Sequence, residues 1–533
     1  MERTGRHAVL VAAGMLFSRI TGVVRQSVFN HFFGLTDAAG AFSQAIKIPN
    51  FLQNLFGEGV LSASFIPVYA RLLAEHDEEE AGRVAGAIGA ILALITAVMV
   101  LLGVLATPLL IYAIAPGFHG ATRLLTIRLV RIFFPGVGLL VMSAWCLGIL
   151  NSHRKFLLSY SAPVIWNAAM IATLVMFRRQ ELDQFAATLA WGSVVGSGLQ
   201  FGAQLPVVFA LAKRLRFHIE MHTPQVREVL HNFGPVFVSR GVVQISGYVD
   251  SVLASLVSPA AVAALATAQS LSLLPVSLFG MSVSAAELPA MSSLLGEPEE
   301  MYAGLRQRLN GGLRRIAFFV VPSAIGLLAF GDVITAALYQ SGRFSHADSV
   351  YVWGILAGSA VGLLATTMGR LYSSTYYALR DTRTPLRFAV IRVALTTALG
   401  YVAAKPLPVW IGINPRWGVA GLTASAGIAG WLEFALLRRT LNQRIGATGV
   451  ATSLIARLWV AALAGAAAGW GVKLALGPRN VRVAAIAILG VYGIVYFGAA
   501  AALRVEEGLE VLRRAGIGRR QPLPRTRQLP RER

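Results

Sequence analysis

Three cations stand inside the apolar stretch from Phe17 to Tyr69, and their types suit the binding of an anion. They are Arg19, Arg25 and Lys47. A charge inside a membrane-length apolar segment costs several kcal/mol unless it faces water, a partner or a ligand. Cations that share a wet cavity create the positive field that attracts an anionic cargo. The stretch therefore predicts a cationic cavity lined by the first two helices.

The spacing of Arg19 and Arg25 favours phosphate as their ligand. The two arginines are six residues apart, which places them about 120° apart around a helix and directs both toward one wide cavity. The small residue Gly22 lies between them and allows a close approach. Guanidinium groups bind phosphate oxygens through paired hydrogen bonds. The alternative is that both side chains reach the membrane surface and are solvated there.

The second predicted helix carries Lys47 two residues before Pro49-Asn50. Proline removes a hydrogen-bond donor and opens a helix, which frees carbonyl groups and leaves room for water or a ligand. A cavity role for Lys47 and a structural ion pair both remain open. Glu58, which has a glycine on each side, is predicted to be structural, either paired with a base across the bundle or placed near the cytoplasmic mouth.

The composition is that of a membrane protein. The 533 residues are 56% hydrophobic and only 14% charged, with a mean hydropathy of +0.63. In soluble proteins about a quarter of all residues are charged. Apolar runs of about 20 residues, the length that crosses a bilayer, recur as far as Leu503. Because the runs are continuous rather than alternating, they predict helices and not barrel strands. The chain is predicted to be an all-α polytopic membrane protein with about fourteen transmembrane helices.

The predicted spans, each uncertain by a few residues at its ends, are 7–33, 39–72, 84–114, 125–150, 158–177, 185–211, 229–256, 260–291, 316–339, 350–379, 388–404, 418–437, 453–476 and 481–503. The loop around 218–229 divides the first twelve, which favours two six-helix lobes, a common transporter plan. The predicted parts are the lobes 1–217 and 218–445, a helix pair in 446–503, and a basic, disordered tail in 504–533.

Loop charges predict the orientation. Alternate loops are rich in arginine and lysine, as at Arg154-Lys155 and Arg380 to Arg387. The loops rich in arginine and lysine are expected in the cytoplasm by the positive-inside rule. This orientation places both termini in the cytoplasm and favours a bacterial cytoplasmic (inner) membrane. The net charge of +22 resides largely in these loops and in the tail, so nucleic acid is not a predicted partner. The tail either binds anionic membrane lipids or is simply solvated.

Later spans carry further charges. Arg240 and Asp250 are ten residues apart in the seventh span and roughly share a face, so they are either a cavity pair or an ion-coupling carboxylate with its partner. Arg128 and Arg131 lie on one face of the fourth span. Three other cations are predicted to lie near the membrane interfaces without a cavity role: Arg392, Arg457 and Lys473.

The sequence offers no catalytic set. The nine histidines are scattered, and Cys146 is the one cysteine, which excludes an intramolecular disulfide and a thiolate metal cluster. The G-x-x-x-x-G-K-[ST] phosphate loop is missing. We therefore predict a protein that is not an enzyme and needs no cofactor or metal, and whose transport is driven by an ion gradient, the membrane potential or substrate flux.

Several ordered motifs resemble the MurJ/MviN family of lipid II flippases. In the first two helices these are Ser18-Arg19-x-x-Gly22-x-x-Arg25, Lys47-Ile48-Pro49-Asn50 and Phe56-x-Glu58-Gly59. Later matches are Ile114 to Phe118, Leu338 to Phe344 and Tyr376 to Pro385. The resemblance implies the fourteen-helix fold of the MOP exporter superfamily, two lobes around a cationic cavity, and a lipid-tail groove on the last two helices. It also places Arg19, Arg25 and Lys47 in that cavity, Glu58 in helix two, and Arg370 where the family tends to have a base.

The chain departs from the family pattern at three places. Gln53 stands where the family has a cavity arginine, and Gly40 stands where it has an aspartate. In the eighth span the family has an Asp-Arg pair, and here the segment includes Ser270. Arg240, or Arg128 with Arg131, could supply the missing charge.

The first hypothesis is a flippase that moves lipid II, the undecaprenyl-diphosphate-linked peptidoglycan precursor, by alternating access, with its phosphates on Arg19, Arg25 and Lys47. One alternative is a transporter of another lipid-linked saccharide. A second is a cation-coupled drug antiporter, for which Asp250 is the one obvious coupling carboxylate. A third is a non-transporting scaffold for cell-wall synthesis. Cell-wall synthases are candidate partners.

Overall fold

Helices make up nearly all of the described chain, as the continuous apolar runs predict. The computed structural model describes residues 2–56, 58–212, 214–294, 297–476 and 480–514, although not every side chain within them. The α-helices are α1 (Glu2–Phe33), α2 (Asp37–Ala45), α3 (Lys47–Phe56), α4 (Glu58–Ala74), α5 (Glu78–Ile114), α6 (Gly120–Ser152), α7 (Phe156–Met176), α8 (Leu182–Leu211), α9 (Pro224–Ser255), α10 (Pro259–Pro275), α11 (Ser282–Ser292), α12 (Pro298–Tyr339), α13 (His346–Ala378), α14 (Arg383–Ala404), α15 (Pro406–Trp410), α16 (Gly418–Ile445), α17 (Thr452–Leu476), α18 (Val481–Ala502) and α19 (Glu506–Arg514).

The membrane-protein class is confirmed. Within the described residues, eleven helical segments are long and apolar enough to cross a membrane. The other three predicted spans, 7–33, 39–72 and 229–256, also fall on helices, namely α1, α2 to α4, and α9. The chain is therefore an all-α, multi-pass membrane protein, and the number fourteen stays a prediction.

The second predicted span is interrupted. It divides into α2, α3 and α4, with a first break at Ile46 between α2 and α3. The α2 start is fixed by Thr36, whose side-chain oxygen accepts a hydrogen bond from the Ala39 amide at 3.3 Å. Beyond the break, the Lys47 carbonyl accepts a hydrogen bond of 2.7 Å from the Tyr248 hydroxyl of α9. The helix opening that was expected near Pro49 thus lies at Ile46. The Tyr248 hydroxyl of α9 provides a hydrogen-bond donor beside it.

The helices form two compact units. The first holds Met1–Leu274, Gly331–Gly362 and Leu386–Glu433, and the second holds Pro275–Phe330, Leu363–Pro385 and Phe434–Arg533. The predicted lobe boundary at 217/218 stays a prediction. The predicted cavity residues belong to the first unit, with the exception of Arg370.

Helix α6 lies at the centre of the first unit, where it packs against α2, α4, α5 and α8. Its Trp145 is buried, and the indole N–H donates a hydrogen bond of 3.0 Å to the Ala85 carbonyl of α5. The Phe42 ring of α2 meets the Phe133 ring of α6 edge to face at 5.4 Å. A buried indole needs a hydrogen-bond partner, so this contact fixes α5 on α6.

Two glycines allow the connection between α9 and α10 to approach its neighbours closely. A Cβ atom at Gly40 would lie 2.2 Å from the Pro259 carbonyl oxygen, and one at Gly117 would lie 2.0 Å from the Ser255 carbonyl oxygen. Any side chain at either position would overlap backbone atoms. The departure from the family pattern at Gly40 therefore has a packing reason, since α2 meets the start of α10 there.

The second unit is held together by polar contacts at helix surfaces. The Tyr492 hydroxyl of α18 donates to the Pro322 carbonyl of α12 at 2.6 Å. At the end of the described chain, Arg314 of α12 makes ion pairs with Glu506 at 2.8 Å and Glu507 at 3.1 Å. These pairs fix the short helix α19 on α12.

Candidate cargo-binding site

Arg25 carries a charge into the interior of the first unit without an acidic partner. Its guanidinium lies over the Trp166 ring of α7, 4.9 Å from the ring centroid. Its Nη1 is 3.7 Å from the Met170 sulfur, and its Nε is buried without a hydrogen-bond partner. Among the described residues, no carboxylate forms an ion pair with Arg25. An aromatic face stabilises a cation by about 0.5–2 kcal/mol, which leaves the donors of the guanidinium available to an anion.

A polar cluster on α1, α10 and α12 lies beside Arg25. The Gln26 amide donates to the Asn30 side-chain oxygen at 3.1 Å, and the Thr267 hydroxyl approaches the same oxygen at 3.4 Å. The Ser270 and Tyr339 hydroxyl groups are 3.0 Å apart. The cluster thus includes the predicted residue Ser270, and its Gln26 directly follows Arg25 on α1.

Sequence analysis missed Gln26 and Asn30. Both lie on α1, four residues apart, and Asn30 is buried with its side-chain nitrogen unpartnered. The available signal was the amide pair itself, because side chains four residues apart share one face of a helix. Buried amides in a membrane span require partners, so such a pair marks a helix face that meets other polar groups.

Arg19 and Gly22 border open space. The Arg19 side chain is exposed. A Cβ atom added at Gly22 would meet none of the described atoms within 4 Å, so no described helix makes the expected close approach there. This part of α1 therefore has room for a ligand between its two arginines.

Lys47 and Asp250 form a second charged group. The Lys47 ammonium nitrogen and one Asp250 carboxylate oxygen are buried, and neither has a hydrogen-bond partner. The two charges nevertheless interact electrostatically. The cavity role and the structural ion pair that the sequence left open for Lys47 both stay predictions, and the donors of the ammonium group are unused among the described residues.

Arg392 has an ion-pair partner and also acts on Asp250, and its predicted place near a membrane interface without a cavity role stays a prediction. It stands near the middle of α14, its Nε is 3.3 Å from the Glu433 carboxylate of α16, and its charge acts on Asp250. Glu433 lies inside the predicted span 418–437, and a carboxylate at such a depth requires a partner. That carboxylate was the signal that could have identified the pair.

The remaining predicted residues are less enclosed, or their side chains lie outside the described part of the chain. Gln53 is half-buried on α3, and Asn50 is exposed. Exposed arginines of the prediction are Arg128 and Arg131 on α6 and Arg370 on α13 in the second unit. The predicted residues whose side chains are not described are Pro49, Glu58 and Arg240. A cavity role for all of these stays a prediction.

An apolar cavity of about 800 Å³ opens between α3, α5 and α9. Its lining includes Ile48, Phe51 and Val249, which neighbour the Lys47 and Asp250 positions in the sequence. On α5 it is lined by Val98 and Leu102, which are about half exposed. Such a lining suits a hydrocarbon chain and not a sugar or a phosphate, because polar groups need hydrogen-bond partners when they leave water.

Cations inside the spans of a multi-pass helical bundle mark a functional site, because such a charge needs water, a partner or a ligand. The fold is similar to that of solved membrane transporters. A solved structure of the lipid II flippase MurJ in an inward closed conformation matches with a TM-score of 0.76 at 23% identity, covering 93% of this chain and 98% of that chain. An inward-facing multidrug resistance transporter of the MATE family, in the MOP superfamily, matches with a TM-score of 0.65 at 16% identity, covering 82% and 98%.

Sequence comparison then gives the family. The family model for lipid II flippase MurJ matches residues 29–481. The lipid II flippase MurJ of Burkholderia cenocepacia is 30% identical over 448 residues, which cover 82% of this chain and 84% of that protein. The probable lipid II flippase MurJ of Bdellovibrio bacteriovorus is 29% identical over 525 residues, which cover 94% and 95%. This chain belongs to the MurJ family.

Proposed function

We propose that this protein moves lipid II across the bacterial cytoplasmic membrane by alternating access and so supplies precursor for cell-wall synthesis. Both termini lie in the cytoplasm in this proposal, in line with the loop charges. Arg19, Arg25 and Lys47 bind the diphosphate of the cargo, and Gln53 offers a neutral hydrogen-bond donor to it. The Ser270 hydroxyl already donates to the Thr267 carbonyl at 2.6 Å, so Ser270 lines the site as an acceptor. No covalent step is needed, because transport requires only binding and a conformational change. Cell-wall synthases are the expected recipients of the cargo.

The proposal rests on the contacts of the Arg25 guanidinium, which has no carboxylate partner among the described residues. A cation away from bulk water is costly unless an opposite charge compensates it, and Arg25 has an aromatic ring and a sulfur atom instead of a carboxylate. A diphosphate supplies the missing charge through charge-assisted hydrogen bonds, which are roughly twice as strong as neutral ones. The cargo would therefore complete a site that is electrostatically incomplete without it.

The pair of opposite charges on Lys47 and Asp250 can stabilise the transporter while no cargo is bound. The carboxylate balances the ammonium group while no cargo is bound, since the two interact without a hydrogen bond. An arriving phosphate can then compete for the Lys47 donors. The positive charges of Lys47 and Arg392 around Asp250 disfavour a coupling cation at that carboxylate, and this argues against the drug antiporter.

A different lipid-linked saccharide is the second candidate cargo. It is favoured by Ser270, whose hydroxyl is bonded to Tyr339 at a position where the family resemblance implies an arginine. Gln53 replaces a second arginine. With fewer cations to bind the diphosphate, recognition would depend more on the sugar. Competition between lipid II and other undecaprenyl-diphosphate-linked saccharides in a binding assay separates the two cargoes.

The test is complementation of a bacterium depleted of its own lipid II flippase. We expect wild type to restore growth, Arg25→Ala to fail, and Arg25→Lys to restore growth partially, because lysine keeps the charge but loses the paired donors. Arg482→Ala is the matched control, since Arg482 is exposed at the start of α18. Equal growth with Arg25→Ala and Arg482→Ala at equal membrane levels would refute the assigned role. Failure of the wild type, inserted normally, would favour another cargo or the scaffold.

A further inference from the structure

A small basic pocket lies at one end of the first unit, apart from the charged groups described above. Its volume is about 190 Å³. Three segments meet there: the last turn of α1, the connection from α7 to α8, and the connection from α12 to α13. The lining consists of His31, Phe32, Arg178, Gln180, Leu182, Phe185, Gly342 and Arg343.

The backbone around this pocket is fixed by interlocking turns. Gly34 ends α1 with φ of +58°, and Gly342 has φ of +57°. A Cβ atom at Gly342 would lie 2.2 Å from the His31 carbonyl oxygen, so only glycine allows this approach. The Arg343 amide donates to the same His31 carbonyl at 2.8 Å. The α12–α13 connection is therefore held against α1, and Arg343 projects from a rigid turn.

Donors predominate among the polar groups of the pocket. The Gln180 side-chain oxygen already accepts a hydrogen bond of 2.7 Å from Thr188, so its remaining polar group is the NH₂ donor. His31 uses Nδ1 in a contact of 3.0 Å with the Ser341 hydroxyl, which leaves Nε2. Arg178 and Arg343 are exposed, and in the described part of the chain neither forms an ion pair. The nearby acids Glu181 and Asp183 do not line the pocket.

The floor of the pocket is aromatic. Phe185 stacks on Phe33 with centroids 4.8 Å apart, and it meets Phe32 at 6.0 Å. Since α1 ends at Phe33 and α7 ends at Met176, the pocket lies at the ends of two predicted spans. A pocket with a basic rim and an apolar floor at the end of a span suits a molecule with a charged head and an apolar body.

We propose that this pocket binds the phosphate group of an anionic lipid headgroup. Guanidinium groups from two separate connections can bind different oxygens of one phosphate, with Gln180 as a further donor. The volume is below the roughly 300 Å³ at which pockets for drug-sized ligands begin, so it fits a phosphate and not a lipid-linked saccharide. The site is additional to the proposed transport function and does not require it.

The test is the thermal midpoint of the full-length, detergent-solubilised protein during titration with phosphatidylglycerol, with zwitterionic phosphatidylcholine, or with inorganic phosphate. We expect phosphatidylglycerol to raise the midpoint of wild type more than the other two probes do. The double variant Arg178→Ala/Arg343→Ala should bind it about tenfold more weakly or worse, because it loses charge-assisted hydrogen bonds. Arg178→Lys/Arg343→Lys should retain part of the effect.

Arg179→Ala is the matched control, since Arg179 is exposed beside Arg178 but does not line the pocket. An equal response of Arg179→Ala and of the double alanine variant would overturn the site, as would equal stabilisation by phosphatidylcholine. If inorganic phosphate alone had the full effect through the same two arginines, the lipid would be overturned as the source. Growth complementation through Arg25 is independent of all these results, so the two proposals fail separately.

Discussion

At the scale of single residues, the protein compensates its buried charges in two ways. Arg25 rests on an aromatic face and a sulfur atom, with no carboxylate in contact among the described residues. Lys47 and Asp250 instead balance one another without a hydrogen bond, and Arg392 adds a second positive charge beside Asp250. The first arrangement leaves a net charge that an anionic cargo can neutralise. In the second, the Glu433 carboxylate paired with Arg392 brings the group to neutrality.

The Lys47–Asp250 group makes a prediction about stability. Asp250→Asn should lower the thermal midpoint more than Lys47→Met does, because the first leaves Lys47 without a carboxylate, whereas the second leaves Asp250 with the charge of Arg392. The double variant should be more stable than the sum of the single effects implies, by about 1 kcal/mol. The measurement is a double-mutant cycle on the purified protein in detergent.

Gly202→Ala serves as a control for that cycle, since a Cβ atom there would meet no other atom within 4 Å and no charge changes. Strict additivity of the two charge substitutions would mean that Lys47 and Asp250 do not interact.

The sequence was informative about which residues are unusual and less so about which of them meet. Arg25, Lys47 and Asp250 could be identified because a charge in an apolar run is rare. The seventh span suggested that Asp250 pairs with Arg240, whereas its described neighbours are Lys47 and Arg392. Those contacts join residues more than a hundred positions apart in the chain, and local spacing carries no information about them.

At the scale of elements, helix type was predictable and helix continuity was not. Continuous apolar runs predicted the spans, but 39–72 is divided at Ile46, where α9 contributes the Tyr248 hydroxyl to the Lys47 carbonyl. The predicted span 260–291 likewise contains a π-helix, Val276–Met281, directly after Pro275. Proline indicates where a helix can deform, while the form of the deformation depends on neighbours that are distant in sequence.

The close contact between α2 and α10 makes a prediction at this scale. Gly40→Ala should destabilise the protein by about 1–3 kcal/mol, the usual range for an overpacked site, because the methyl group would overlap the Pro259 backbone. The measurement is the thermal midpoint together with the amount of protein in the membrane. Gly202→Ala on α8 is the matched control and should be neutral or stabilising, since alanine favours helix. A Gly40→Ala protein as stable as wild type would contradict the packing described for this contact.

At the scale of the whole molecule, composition and ordered motifs were sufficient for the class and the family. Low charge and recurrent apolar runs predicted a polytopic helical protein, and the motifs around Arg19, Lys47 and Leu338 predicted the family that the comparisons confirm. The two compact units could not be predicted, because their boundaries fall inside helices α10, α12, α13, α14 and α16. A boundary of that kind depends on packing and leaves no loop or linker in the sequence.

The central claim is that the Arg25 guanidinium binds the diphosphate of a lipid-linked cargo during transport. The most direct measurement is lipid II movement in proteoliposomes that contain the purified protein, followed by cleavage of the exposed headgroup with a membrane-impermeant reagent. We predict that wild type and Arg482→Ala make the inner-leaflet lipid II accessible, and that Arg25→Ala slows this at least tenfold, as expected for the loss of charge-assisted hydrogen bonds. Equal rates for wild type and Arg25→Ala, at equal amounts of folded protein, would contradict the claim.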